Sequence, residues 1–282
     1  LPMVTASVSN QCIGSGSNFT ITASGTGLAP LTYSINGTTF QTSATFTVAP
    51  GSYTITVKDK NGCTAPTLLP TVVYPEMTVT AVLTKDLDCS TSPNAIITIN
   101  TSGGKAPFGY RVKIGSGTYS GSPIAFGGTS FTYTTSAANT FQFEITDTNG
   151  CKKESNIITT NSIVYPVITS INKIQDIYCN GEASGSIKVN IDVSKGIGPF
   201  TYSIDGLTFQ ASNVFSGLVA GTYTVIVKDS KGCTNSEPIT IGQPNALNYT
   251  LVATEIKCTG PPPSTTLGSI TVNVGSGLRS EE

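Results

Sequence analysis

YTITVKDKNGC (residues 53–63), FQFEITDTNGC (141–151) and YTVIVKDSKGC (223–233) are one phrase written three times. Each is an alternating run of β-branched and aromatic residues, then Asp, two residues, Gly and Cys. Alternation with a period of two reads as a half-buried strand. The Asp-x-x-Gly that follows reads as a turn, in which the Asp caps the loop and Gly62, Gly150 and Gly232 supply positive φ.

The repetition extends outward. PLTYSINGTTFQ (30–41) matches PFTYSIDGLTFQ (199–210), whereas PFGYRVKIGSG (107–117) diverges. That middle copy is longer, and its extra length falls in the Gly/Ser-rich stretch 115–130, which reads as an enlarged loop. Four further cysteines, Cys12, Cys89, Cys179 and Cys258, each precede a polar loop and then a strand: FTITAS, AIITIN, SIKVNI and SITVNV. A period of about 80 residues is that of a domain, longer than the roughly 20–45 residues of a solenoid repeat. Pro75, Pro166 and Pro244 mark the joints. The units are 1–74, 75–165, 166–244 and a truncated fourth at 245–282.

The third unit is the cleanest copy. Strands are expected at 167–175, 186–192, 200–204, 207–210, 213–216, 222–228 and 236–241. Asn36-Gly37 and Asp205-Gly206 read as two-residue type I′ hairpins, with positive φ at both positions, and Asn61-Gly62 and Asn149-Gly150 read the same way. Seven short strands with regular turns predict an all-β fold of tandem immunoglobulin-like or fibronectin-III-like β-sandwich repeats. Tyr53 and Tyr223 fall where a corner tyrosine would enter the sixth strand. Phe141 fills that slot in the second unit.

Composition removes several function classes. Charged residues are 11% of the chain, against roughly 25% in an ordinary globular protein. Thr (44) and Ser (31) fill the gap, and His and Trp are both absent. Without His there is no Ser-His-Asp or Cys-His dyad and no HExxH zinc site. A net charge of −1 with 15 Lys+Arg leaves no basic footprint for nucleic acid. No apolar run is long enough for a membrane span. The chain is therefore read as non-enzymatic, with no catalytic residue, cofactor or resident metal. The Asp-x-x-Gly turns lack the bidentate Glu of a calcium loop, and two of them contain a lysine. The Thr-rich strand faces read as solvated sheet surface.

The wide cysteine spacing reads as disulfides formed in an oxidising, extracellular compartment. Pairing within units gives Cys12–Cys63, Cys89–Cys151 and Cys179–Cys233. Cys258 is left single, as a truncated fourth unit predicts. One point argues the other way. The first cysteine of a unit follows strand one and the second follows strand six, so in an up-down sandwich they sit at opposite poles. Bridges Cys12–Cys151 and Cys89–Cys233 would then staple the joints and leave Cys63, Cys179 and Cys258. Within-unit pairing is the expectation, and cross-joint pairing is the alternative.

The pattern G-P-[FY]-T-Y-S-I-[ND]-G-x-x-F-Q … G-x-Y-T-[VI]-x-V-K-D-x-x-G-C resembles the SprB repeat. It is close in the first and third units, loose in the second, and present only in its first half in the fourth. That family occurs in very long cell-surface adhesins of gliding Bacteroidota and in other type IX secretion substrates. The resemblance implies an extracellular tandem stalk on the cell surface, served by the gliding and type IX machinery. Its partners would be the neighbouring repeats of the chain and surface glycans or the substratum. The short proline-marked joints add the expectation of a semi-rigid rod. The function expected is that of a disulfide-stapled adhesive stalk. Two rivals stand beside it: accessory glycan-binding sandwiches of a secreted polysaccharide-degrading enzyme, and a subunit of an extracellular filament.

Overall fold

A computed structural model describes residues 1–12, 18–259 and 264–275. Every regular element among them is a strand. Repeat 1 contributes β1 (Met3–Val8), β2 (Phe19–Thr26), β3 (Thr32–Ser34), β4 (Thr45–Val48), β5 (Gly51–Tyr53), β6 (Thr56–Lys58), β7 (Thr64–Pro66) and β8 (Thr71–Val73). Repeat 2 contributes β9 (Thr78–Lys85), β10 (Ala95–Ser102), β11 (Phe108–Ile114), β12 (Ile124–Phe126), β13 (Ser130–Thr135), β14 (Thr140–Thr146), β15 (Lys152–Glu154) and β16 (Ile158–Thr159). Repeat 3 contributes β17 (Ile168–Gln175), β18 (Gly185–Ile191), β19 (Thr201–Ser203), β20 (Val214–Leu218), β21 (Gly221–Lys228) and β22 (Thr234–Ile241). The remainder holds β23 (Tyr249–Thr254), β24 (Lys257–Thr259), β25 (Ser264–Thr266) and β26 (Ser269–Val274).

The three repeats share one topology. One sheet is β1-β2-β4, β9-β10-β13 or β17-β18-β20. The other is β3-β6-β7, β12-β11-β14-β15 or β19-β21-β22, with β16 also on β14 and a β5–β8 ladder in repeat 1. The chain leaves the first sheet after two strands, enters the second, returns for one strand, and finishes in the second. Two antiparallel sheets joined by such crossings make an immunoglobulin-like sandwich.

Period-two patterning puts the core between the sheets. Along β2, Phe19, Ile21 and Ala23 point inward; along β10, Ala95, Ile97 and Ile99; along β18, Ile187 and Val189. Each repeat has its own apolar cluster: Val4 to Val73, Met77 to Ile145, and Ile177 to Ile241. A fully buried side chain such as Phe19 or Phe143 contributes roughly 1.5–3 kcal/mol by leaving water. The side chains of β23 and β26 are exposed along their whole length. Among the described residues these two strands pair only with each other, antiparallel from Tyr249–Val274 to Thr254–Ser269.

By backbone proximity the chain forms two compact units, Leu1–Leu87 with Pro93–Ser162, and Asp88–Ser92 with Ile163–Glu282. The five residues around Cys89 thus belong with repeat 3.

Three local expectations are corrected. No strand forms over 207–210; a single bridge, Gln210 to Tyr202, stands in its place, mirrored by Gln41 to Tyr33. The Asn-Gly and Asp-Gly pairs are not type I′ turns, because positive φ occurs only at glycines, Gly37 (75°) and Gly206 (76°) among them. Asn36 Oδ1 instead accepts the main-chain N–H of Thr38 and Thr39, and Asp205 Oδ1 those of Leu207 and Thr208. These are side-chain-closed loops rather than two-residue hairpins. Finally, the stretch 115–130 is not all loop, since β12 adds an edge strand to β11.

Candidate functional site: the cysteine joint

The repeated phrase ends in a turn built the same way three times. In repeat 1 the N–H of Gly62 bonds the carbonyl of Asp59, and the N–H of Asp59 bonds the carbonyl of Cys63. The equivalents are Gly150, Asp147 and Cys151, then Gly232, Asp229 and Cys233. This is a three-residue hairpin with a type I turn and a glycine at positive φ; Asn61 and Asn149 sit at its centre without positive φ. The carboxylate locks it. Asp59, Asp147 and Asp229 each accept the cysteine N–H at 2.8–2.9 Å. Asp147 and Asp229 use their second oxygen for the N–H of Lys105 and of Ile197. Oxygens occupied by N–H donors are poorly placed to ligate a cation. Among the described residues no group of three or more His, Cys, Asp and Glu side chains converges.

The other cysteine of each repeat lies in the loop between the first two strands, at the opposite pole. That loop is tied to the exit of its own repeat. The Gln11 amide donates to the Tyr74 carbonyl at 2.7 Å and accepts its N–H at 3.0 Å. Asp86 accepts both the main-chain and side-chain N–H of Asn161. Asn180 donates to the Pro244 carbonyl, and the N–H of Gly181 bonds Gln243. The first cysteine is therefore held where one repeat ends and the next begins.

The disulfides follow from these poles. They are Cys12–Cys151 and Cys89–Cys233, with sequence separations of 139 and 144. The expected pairs Cys12–Cys63, Cys89–Cys151 and Cys179–Cys233 are overturned, because the two cysteines of one repeat sit at opposite ends of its sandwich. The cross-joint alternative is the one the fold adopts. Cys63 and Cys179 are free and exposed. The side chain of Cys258 lies outside the described residues.

Around Cys12–Cys151 the joint of repeats 1 and 2 is closed by polar contacts. Gly104 N–H bonds the Pro75 carbonyl, and Lys153 pairs with Glu76 at 3.0 Å. A crevice of about 80 Å³ remains between Gln11, Met77, Asp147 and the disulfide. A wider cleft of about 660 Å³ opens beside it, lined by Asn10, Tyr74, Lys105 and Asn149. In the second compact unit, Cys89 also donates its N–H to the carbonyl of Lys231, beside its disulfide partner.

Several recurrent residues had no role in the sequence reading. The Phe-Gln of the upstream motif is one case. Phe40 and Phe209 lie under the ammonium of Lys58 (4.1 Å) and Lys228 (3.6 Å). Gln41 and Gln210 donate to two carbonyls of the following loop. Prolines 30, 107 and 199 all follow cis peptide bonds just ahead of the third strand. The corner tyrosines were legible: Tyr53 and Tyr223 donate to the carbonyls of Ala49 and Val219, and Phe141 fills the slot fully buried.

Repeat 2 differs at its enlarged segment. Tyr119 lies near the cationic groups of Arg111 and Lys113, and Arg111 pairs with Glu144 at 2.5 Å. Burial, helped by the nearby Glu154 and Glu144 carboxylates, pushes the Tyr119 hydroxyl up to about 12. Beside it a cleft of about 420 Å³ is lined by Tyr110, Tyr133, Thr118, Ser120 and Ser122. Burial also raises Tyr133 and Tyr202 above the ordinary phenol value.

Among the described residues no helix is long and apolar enough to cross a membrane. A search of curated proteins found no match. Among solved structures, the chain is similar to the tetra-tandem repeat in the extending region of a large adhesion protein. There the identity is 12% over 99% of this chain and 92% of the other, with a TM-score of 0.26. It is similar to the N-terminal eight Ig domains of Down Syndrome Cell Adhesion Molecule isoform 1.30.30, at 10% identity over 98% of this chain and 45% of the other, TM-score 0.24. A third is the Bacteroides ovatus mixed-linkage glucan utilization locus protein SGBP-B in complex with a mixed-linkage heptasaccharide, at 10% identity over 91% and 74%, TM-score 0.17. The family model described as the SprB repeat matches residues 171–209, from inside β17 through the loop that closes at Gln210. Over those residues the chain is similar to the SprB repeat.

Proposed function

We propose that this chain is a load-bearing, non-catalytic stalk segment of a large cell-surface adhesin, exported to an oxidising compartment. The observation that carries the reading is the disulfide pattern. A protein needing only stable domains would staple each sandwich internally. Here both bridges join the exit loop of one repeat to the entry turn of the next. The SprB-repeat match at 171–209 supports membership of a surface-adhesin array. Handling by the gliding and type IX machinery, and contact with surface glycans or the substratum, belong to this proposal through that resemblance.

Domains of about 80 residues have small cores and are marginal alone. In the chain-entropy model a bridge closing a loop of about 140 residues stabilises by roughly 5 kcal/mol. The test is limited proteolysis with and without reductant. Oxidised chain should resist cleavage near Pro75, and reduced chain should be cut there first. Equal resistance in both states would remove the stalk reading.

A second reading rests on the repeat 2 cleft with its two tyrosines and its Ser/Thr rim. A sugar ring fits such a surface. Saturable binding of an oligosaccharide that is lost on Tyr110→Ala would favour an accessory glycan-binding module.

A further inference from the structure

Cys63 and Cys179 are the only free thiols among the described side chains, and both occupy positions that are bonded elsewhere in the same molecule. Cys63 ends the same Asp-locked turn as Cys151 and Cys233, with the Asp carboxylate on the cysteine N–H at 2.9, 2.9 and 2.8 Å. The turns differ in their cover. Cys151 is 7% and Cys233 1% exposed, whereas Cys63 is open to solvent. Cys179 occupies the exit-loop position of Cys12 and Cys89, in a loop fastened to Gln243 and Pro244 as Cys12's loop is fastened to Tyr74.

We infer that Cys63 and Cys179 are the two complementary halves of a further joint, and that each takes a disulfide from another repeat of this same kind. The partner of Cys63 is an exit-loop cysteine, and the partner of Cys179 is the cysteine of an Asp-x-x-Gly-Cys turn. The surface around Cys63 is thus a docking face for the exit pole of a sandwich repeat. This rests on the tandem-stalk reading above and adds the rule by which repeats are matched: exit loop to entry turn, never turn to turn.

The bond forms by thiol–disulfide exchange with a small disulfide such as glutathione disulfide. The Cys179 thiolate attacks one glutathione sulfur and releases one glutathione. The incoming turn thiolate then attacks the Cys179 sulfur of the mixed disulfide and releases the second. Two protein thiols lose two protons and two electrons, and one glutathione disulfide becomes two glutathiones.

The experiment places the two halves at one joint. Residues 1–244 are fused directly to a second, complete copy, so that repeat 3 of the first copy is followed by repeat 1 of the second. After oxidation with glutathione disulfide, a non-reducing peptide map should show Cys179 of the first copy bonded to Cys63 of the second. Of the fusion's twelve cysteines only two should label, Cys63 of the first copy and Cys179 of the second, the same number as in the fusion carrying Cys63→Ser in the second copy and Cys179→Ser in the first; four would label if the joint stayed open. If Cys179 of the first copy and Cys63 of the second both label while Cys12–Cys151 and Cys89–Cys233 are present in each copy, the matching rule is wrong and the stalk reading stands. If Cys12–Cys151 is itself missing, both fall. A bond from Cys179 to another Cys179, or from Cys63 to another Cys63, between chains would equally overturn the rule.

Discussion

Aspartate is the residue on which the joint depends. Asp229 is 5% exposed and accepts three main-chain N–H bonds, from Lys231, Cys233 and Ile197. Hydrogen bonds to a charged acceptor are the stronger kind, and their loss leaves buried donors unmet. Asp229→Ala should cost repeat 3 about 3 kcal/mol, read as a lower urea midpoint. The disulfide yield of Cys89–Cys233 should fall with it, because the turn no longer holds its cysteine. Asp205 makes a different test. Main-chain N–H donors from Thr208 and Leu207, with the Ser203 hydroxyl, hold its carboxyl down to about 2. A depressed acid stabilises the fold above its unfolded value and loses that contribution as pH falls. Whatever Asp205 contributes should thus vanish between about pH 4 and pH 2, and Asp205→Asn should flatten that part of the acid profile. An NMR titration with a midpoint near 4 would contradict the geometry. Asn36 already plays the part in repeat 1 with no charge.

Elements meet at the joints through glycine. Gly103, in the loop between β10 and β11, has φ of 70°, and a Cβ there would collide with the carbonyl of Glu76 in the incoming linker. Gly104 then donates its N–H to the Pro75 carbonyl. Gly103→Ala combines backbone strain with a steric clash, so it should destabilise repeat 2 by at least about 2 kcal/mol. Amide exchange should rise first along β9. Unchanged protection there would mean that the linker is not held by this loop. How far such features can be read in advance depends on their range. Six of the seven strands expected in the third unit, the Asp-x-x-Gly turns and the corner tyrosines were legible, because period-two alternation and a required glycine are local rules. The Asn-Gly turns were misread, because the dipeptide fits more than one loop: the Asn36 carboxamide settled its own by bonding residues two and three positions on, and the Asp59 and Asp147 carboxylates settled those of Asn61 and Asn149. The Phe40–Lys58 and Phe209–Lys228 pairs cross between loop and strand. No spacing along the sequence announces them. The disulfides turned on parity, since adding or losing one chain reversal before the sixth strand moves a cysteine to the other pole. The chain still reverses at Gln210, where only a bridge forms, so the poles remain opposite and the cysteines must reach across the joint.

At the scale of the whole molecule, the bridge Cys12–Cys151 changes which residues carry a pull. Without it, the backbone from Leu1 to Cys179 is 178 residues of slack, or about 600 Å when drawn straight. With it, the shortest route runs from Leu1 to Cys12, crosses the sulfurs, and continues from Cys151 to Cys179. That route is 39 residues, about 130 Å. A chain gripped at Leu1 and beside Cys179 should therefore stop lengthening near 130 Å when oxidised and run several-fold further once reduced. An oxidised chain that reaches 600 Å would show that no such shortcut exists. Everything from residue 13 to residue 150, which includes most of both sandwich cores, lies off the taut route. Those cores can loosen and refold without the line parting. The tension instead runs through β1, β15, β16 and β17, the outermost strands of their repeats. The sandwiches then act less as links of a chain than as beads fixed along a short internal tether, setting its spacing while the tether takes the load.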